Sequence, residues 1–441
     1  MSKDSSYGVA VVGCGTVGGA TAQLLTRDQQ IITGRCGINL DLRHLVDVKF
    51  DHARELGIDE KLFRDDLQPA LDDPEVGVVV ELIGGVTIAR TVIERAIKAG
   101  KNVVTANKAL LAQHGENLYA LARKHNVCLA FEASCAGGIP IIRALCDGLI
   151  ANRIDAMYGI VNGTCNHVLT AMIRNGQSYA EALAEAQRIG LAEADPTLDV
   201  TGVDSAHKLA ILAALAFGEK IDLDAIPVEG IDNLDLRDVA YGHELGYVIK
   251  LLAIAQRHKD GTSLQVRPTF ISQEHPLAWV SGPFNAVSVY GHANGHTMYY
   301  GRGAGPGPTA SAVVSDIVST AMGNAKRNFD QLMVWPDKNP PATQLPVESV
   351  SSRYYIRMQG EDRPGVFAGI AEILGKMDIS ISSVLQHEAD PGSKHVPVVI
   401  TTAKALEGSV RKAIKEIDSL DVVKGKSVYI CIVDEHPEHL S

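Results

Sequence analysis

The sequence predicts an α/β protein in three successive units: an N-terminal parallel sheet, a central α+β unit and a C-terminal βαββαβ unit. Three observations carry that expectation. Over residues 1–137 apolar strand-like runs alternate with helical patterns, the rhythm of consecutive βα units. Over 138–335 that alternation gives way to a mixed order of helices and strands. Beyond a proline-bearing stretch at 336–350, the patterns of residues 351–441 run β, α, β, β, α, β.

At 441 residues the chain exceeds a single core, since domains usually hold about 100–200 residues. It carries 41 basic against 52 acidic residues, a net charge of −11, so no global field draws it to nucleic acid or an anionic membrane. Residues 1–8 are polar and lead into a short strand-like run without signal-peptide architecture. No apolar run approaches the ~20 residues of a membrane span. Seven cysteines without CxxC pairs read as reduced thiols, which suits the cytoplasm.

The first unit is expected to place strands at Val9–Val12, Leu42–Val48, Val76–Ile83, Asn102–Thr105 and Val127–Phe131. Helices are expected at Val17–Arg27, Ile88–Ala99 and Leu110–Lys124. In the central unit a strand is expected at Ile154–Val161 and a helix at Tyr179–Ile189, where Ser178 and Glu181 form a capping box. Strands at Ala286–Tyr290 and Thr297–Tyr300 precede a glycine-rich loop that opens a helix near Pro308. The run Pro336–Pro346 holds four of the 18 prolines and reads as an interdomain linker.

Gly13, Gly15 and Gly18 stand as GCGTVG between the first strand and an Ala/Leu-rich helix. That is the context of a Rossmann-type dinucleotide turn: the first glycine turns the chain, the second admits the pyrophosphate, and the third packs the helix close. Thr16 and Val17 open the helix whose N-terminus would face the phosphates. After the second strand, Asp47, Lys49 and Asp51 are the candidates to face the adenosine ribose. An acid there favours NAD and Lys49 favours NADP, and both remain open. Glu81–Gly85 and Thr105–Lys108 end parallel strands, the edge where such sheets place ligands. Gly84 and Lys108 are therefore expected in the cleft, although a lysine at a helix start opposes the macrodipole.

The stretch Gly190–Ala213 concentrates chemistry. Glu193, Asp195 and Asp199 lie in a loop, and Asp204 and Lys208 stand four apart on the following apolar helix, hence on one face. Lys208 lies among Ala206, Leu209, Ala210 and Leu212, where a desolvated ammonium suits acid–base work. The bland alternative is an ordinary surface salt bridge. In Glu132–Pro140, a carboxylate beside exposed turn carbonyls offers hard oxygen ligands for a monovalent cation, against the plainer reading of a turn that merely needs glycine. Cys135 in the same turn raises a different class, a thiolate nucleophile attacking an aldehyde, but no histidine lies in the neighbouring motifs to serve as its base. The 15 histidines show no metal-ligand spacing. Gly305 lies in the loop Gly301–Pro308, which lacks the Gly-Lys-Ser/Thr ending of a phosphate loop but whose amides would close over cofactor or substrate.

GCGTVG, TANK, EASCAGGIPII, NGTCNHVL, EADPTLDVTGVDSAHK and GRGAGPGPTASAVVSD occur in this order, and together the chain resembles the homoserine dehydrogenases of the monofunctional type with a C-terminal ACT domain. The resemblance covers nearly the whole chain. It implies interconversion of L-homoserine and L-aspartate 4-semialdehyde with NAD or NADP, in threonine, methionine and isoleucine biosynthesis. It further implies Lys208 as proton donor and acceptor with Asp204 its partner, Lys108 contacting cofactor and substrate, and Glu193 and Asp199 binding the substrate. Gly13, Gly15, Thr16, Val17, Gly18, Lys49, Gly84, Lys108 and Gly305 would hold the cofactor. Na⁺ or K⁺ would sit against Glu132 and the backbone of Cys135, Gly137 and Ile139. The C-terminal unit, by resemblance a ferredoxin-like ACT domain, would answer to L-threonine, and its strand edges suggest a homodimer or homotetramer. Two rivals stand beside this reading: a thiol-dependent semialdehyde dehydrogenase acting through Cys135, and a non-catalytic sensor of nucleotides and amino acids.

Overall fold

The computed structural model describes residues 6–387 and 394–437; the ends of the expected C-terminal unit beyond 437 and the segment 388–393 lie outside them. The first sheet consists of β1 (Ser6–Val12), β2 (Asn39–Val46), β3 (Phe63–Arg64), β4 (Val76–Glu81), β5 (Asn102–Thr105) and β6 (Leu129–Ala130). All pair in parallel in the order β3-β2-β1-β4-β5-β6. Each central strand is apolar on both sides because helices cover both faces. Val9, Val11, Val78 and Val80 join one core, whereas Ala10, Val12 and Val79 join the other. The order reverses between β1 and β4, and a crevice opens there beyond the carboxyl ends of the strands.

The helix of residues Pro306–Ala321 packs on the helix Thr16–Arg27, and its Val313, Val314 and Ile317 belong to the core beneath β1 and β4. A boundary after residue 137 would place it with the central unit; its packing ties it to the first sheet.

The second sheet is larger. It adds β7 (Ile154–Ile160), β8 (Tyr247–His258), β9 (Gly261–Ser272), β10 (Phe284–Gly291), β11 (Gly295–Arg302), β12 (Ser351–Glu361), β13 (Ile381–Gln386), β14 (His395–Thr402), β15 (Ala405–Leu406) and β16 (Val428–Val433). Its order is β11-β10-β7-β8-β9-β16-β12-β14-β13, with β15 beside β12. The long β8–β9 hairpin has no counterpart in the sequence-based assignment. In β8 residues 249–255 are buried without a break, so the two-residue alternation that betrays a half-exposed strand is missing, whereas β9 alternates Leu264, Val266 and Phe270 with Gln265, Arg267 and Thr269 around Pro268.

The C-terminal unit has the expected βαββαβ order, with helices Val366–Lys376 and Glu407–Ile417. Its strand β16 pairs in parallel with β9 through Cys431–Thr269, Ile432–Phe270 and Val433–Ile271, so one sheet runs through the central and C-terminal units. The proline-bearing segment packs down too: Lys220 N donates to Pro340 O (2.9 Å) and Thr262 N to Thr343 O (2.9 Å). Among the described residues no helix is long and apolar enough to cross a membrane.

Candidate active site

The glycine turn is built by exclusion. Gly13 has φ +102° and a Cβ there would lie 2.7 Å from Leu82 O; a Cβ on Gly18 would lie 1.8 Å from Gly13 O. Above Gly15 there is open space within 4 Å, a cradle fit for a pyrophosphate at the start of the helix Thr16–Arg27. Asp47 is committed to this turn: its Oδ2 accepts from Cys14 N and its Oδ1 from Val48 N (2.6 Å) and Lys49 N (3.2 Å). Lys49 stays exposed beside it.

A cleft of about 380 Å³ begins next to this turn, lined in part by Val17, Gly84, Lys108, Glu193, Asp199 and Asp204. Glu81 at the end of β4 shapes one wall. Its Oε1 accepts from Ile83 N (2.8 Å) and Gly84 N (3.2 Å), and its Oε2 from the Thr105 hydroxyl (2.7 Å). Thr105 in turn accepts from Asn107 N (3.1 Å), and Asn107 caps the helix Lys108–Lys124 through Leu110 N (3.1 Å). This chain of bonds delivers Lys108 to the cleft.

The helix Val203–Phe217 supplies the opposite wall. Asp204, 6 % exposed, joins both lysines: its Oδ1 lies 2.9 Å from Lys108 Nζ and its Oδ2 2.7 Å from Lys208 Nζ. Lys208 also donates to Val161 O at 2.7 Å. Burial disfavours the Asp204 carboxylate, but the two ammoniums outweigh it and hold its pKa well below the usual carboxylate range. Burial likewise works against the Lys108 ammonium, and Asp204 more than offsets this, raising its pKa above the ordinary lysine value. The ion pair also overcomes the adverse helix start, since Lys108 is the first residue of its helix.

The two lysines are not equivalent. The Lys108 side chain is 40 % exposed and lines the cleft, whereas that of Lys208 is 10 % exposed and lies beneath Asp204. The ammonium of Lys208 is therefore tied to a carboxylate and a carbonyl, unlike the bare charge its apolar neighbours suggested.

Glu193, exposed, and Asp199, half-buried, both reach the cleft. Asp195 lines it as well but accepts from Thr197 N (3.1 Å) and the Thr197 hydroxyl (2.5 Å). Asn162 and His207 were not singled out by sequence reasoning. Asn162 Nδ2 donates to Asp199 Oδ1 (2.7 Å) and Asp204 Oδ2 (2.9 Å); His207 is the cleft residue next to Lys208. The signal for Asn162 was its position before an apolar helix, which announced a cap and nothing more.

Near this wall the turn of residues 132–139 is tightly packed. Gly137 has φ +48° and lies against Gly303, and Gly138 N donates to Arg302 O (3.1 Å). Gly305, φ +114°, begins the helix that covers the turn. Glu132 accepts from Ile142 N and Arg143 N, both at 2.9 Å, and its own amide donates to Asp316 Oδ2 (2.7 Å). Burial and the nearby Asp316 carboxylate push Glu132 up to about 7. Cys135 is fully buried, and burial pushes its thiol up to about 12; a thiol in that state is a poor nucleophile. Among the described residues no group of three or more His, Cys, Asp or Glu is placed to hold a metal ion.

A dinucleotide cradle opening on an acid-lined cleft with paired lysines defines a nicotinamide-dependent oxidoreductase for a small polar substrate. Comparisons with known proteins specify it. Family models match at residues 13–132 (homoserine dehydrogenase, NAD binding domain), 140–318 (homoserine dehydrogenase) and 354–419 (ACT domain). The chain is 43 % identical to the homoserine dehydrogenase of Pseudomonas aeruginosa over 96 % of its length and 98 % of that protein's. It superposes on a homoserine dehydrogenase of Thiobacillus denitrificans with TM-score 0.91 and 43 % identity, covering 97 % of this chain and 98 % of the other. A hyperthermophilic archaeal homoserine dehydrogenase solved in complex with NADPH matches with TM-score 0.60 and 25 % identity over 72 % of this chain and 98 % of its own. The chain belongs to the homoserine dehydrogenase family.

Proposed function

We propose that the enzyme interconverts L-homoserine and L-aspartate 4-semialdehyde in the cleft between Lys108 and Asp204, with the bridging of two lysines by Asp204 as the observation that carries the assignment. The nicotinamide, when bound, supplies or accepts the hydride. Reduction builds negative charge on the carbonyl oxygen, and a positioned ammonium stabilises that charge and delivers the proton. Lys208 is the proton donor and acceptor: its bonds to Asp204 and Val161 use two of three ammonium protons, leaving one for the substrate oxygen. Asp204 holds both ammoniums in place, and Lys108 contacts cofactor and substrate from the exposed side. Glu193 and Asp199 take the substrate's α-ammonium, which fits an acid-lined cleft.

Gly13, Gly15, Thr16, Val17, Gly18, Gly84 and Gly305 hold the dinucleotide. Because Asp47 already accepts three backbone amides, it is poorly free to read a ribose hydroxyl, and the exposed Lys49 favours the 2′-phosphate of NADP. Na⁺ or K⁺ is assigned to Glu132 with the carbonyls of Cys135, Gly137 and Ile139; a cation there would restore the carboxylate that burial disfavours. L-Threonine is assigned to the ACT domain, the working assembly to a homodimer or homotetramer, and the compartment to the cytoplasm.

The test mixes the purified enzyme with L-homoserine and either NAD⁺ or NADP⁺, with and without K⁺ or Na⁺, and with increasing L-threonine. Phosphate-independent formation of reduced nicotinamide is expected, faster with NADP⁺ and lowered by threonine. Silence in both directions, with semialdehyde and reduced cofactor included, would overturn the catalytic reading in favour of a sensor.

A further inference from the structure

Asn162 is 5 % exposed and has every polar atom of its side chain engaged. Its Oδ1 accepts from Cys165 N (2.8 Å), capping the helix Gly163–Asn175. The cap alone does not require asparagine, since serine, threonine or aspartate serve as well. What asparagine adds is an amide with two N–H donors beside its acceptor. Both donors go to carboxylates, one to Asp199 Oδ1 and one to Asp204 Oδ2. Two carboxylate oxygens thus lie within 3 Å of a single nitrogen, near enough for their like charges to repel.

We propose that Asn162 is a positioning residue that keeps the Asp199 and Asp204 side chains side by side, so that Asp204 stays turned to its lysines and Asp199 to the substrate. This deepens the dehydrogenase reading of the cleft and rests on it. The surrounding charges give the arrangement its sense. Asp204 also faces Lys208 on its own helix and Lys108 from the helix Lys108–Lys124; Asp199 takes its side-chain bond from Asn162. The other titratable neighbours are His207, whose pKa burial lowers, and Cys165 and Cys135, whose thiols burial keeps protonated. Glu193, Asp195 and Glu81 complete the acidic lining.

Asn162→Asp preserves size and the cap oxygen but sets a third carboxyl against the other two. The acid limb of the pH profile of kcat/KM for L-homoserine should move up by about one to two pH units, with activity recovering at higher pH. Asn162→Ser keeps a cap, removes the bridge and adds no charge; its acid limb should move the same way by less. Both variants should lose some melting temperature, since each breaks a buried bridge, while NADPH binding, followed by fluorescence, should stay near wild type. Wild-type profiles, or a loss of kcat equal at every pH, would overturn the proposal. Should Asn162→Asp not fold, the Asn162→Ser profile decides by the same criterion. A wild-type enzyme without homoserine-dependent turnover would instead sink the dehydrogenase reading itself, and an unshifted variant of an active enzyme sinks only the role of Asn162.

Discussion

Asp204 and Asp238 are both buried carboxylates, each gripped by a cation from a distant segment, yet their surroundings differ in kind. Asp204 meets Lys208 and Lys108, the second of which is 40 % exposed and faces a cleft. Asp238 meets Arg357 in a bidentate pair (2.5 and 2.8 Å) and the Tyr355 hydroxyl (2.8 Å), and both partners are buried. The second cluster, with Arg267 between Glu407 (2.6 Å) and Glu229 (3.0 Å), fastens the C-terminal unit to the central one. Buried charge alone therefore marks no active site. What sets the Asp204 cluster apart is lysines in place of arginines and an open cleft beside one of them, Lys108. An ammonium exchanges its proton readily, whereas a guanidinium does not.

The largest expected effect that would break this contrast is on turnover. Lys208→Ala should lower kcat by roughly 10²–10⁴-fold with NADPH affinity little changed, as read by steady-state kinetics and fluorescence titration; near-normal turnover would return Lys208 to a structural role. At the other cluster, Arg357→Met strands a buried carboxylate and should cost about 3–5 kcal/mol of stability, measured by denaturant unfolding, with kcat of the folded enzyme largely retained. If instead kcat collapsed without loss of stability, the two clusters would not be separable.

A third, smaller effect concerns pH. Glu132 is raised from its ordinary 4.5 to about 7, so the folded state binds its proton more tightly than the unfolded chain. The associated stability is complete below about 4.5 and is lost as pH rises through about 7. Glu132→Gln should flatten the decline of melting temperature across that window, and K⁺ or Na⁺ should reduce the decline in the wild type. A cation-independent, unchanged slope would remove Glu132 from both accounts. The smallest effect is at Lys49, an exposed side chain: Lys49→Ala should raise KM for NADPH by about fivefold or less, in keeping with ~1 kcal/mol for an exposed charge pair, and leave KM for NADH unchanged.

Much of the candidate site's geometry was legible from local pattern. The glycine turn, the strand-ending motifs carrying Gly84 and Lys108, and the four-residue spacing of Asp204 and Lys208 all depend on backbone geometry that neighbouring residues impose. Less was legible where one short-range signal hides a long-range one. Asn162 stood in the sequence only as the first residue of NGTCNHVL, and only its approach to Asp199 and Asp204 revealed the bridge. In the β8–β9 hairpin, β8 was obscured by unbroken burial over 249–255, which erases the alternation by which strands are recognised, and β9 by Pro268 inside its alternating run.

The sequence by itself determined the dinucleotide turn, the order of the three units and the identity of the charged residues, because periodicity, glycine placement and capping act over a few residues. Tertiary structure alone decided that β16 would extend the central sheet beside β9, that the helix Pro306–Ala321 would complete the first core, and that one carboxylate would receive both lysines. Those pairings join segments far apart in the chain, and they are chosen by which surfaces bury apolar area and satisfy buried charge together, a selection no local pattern encodes.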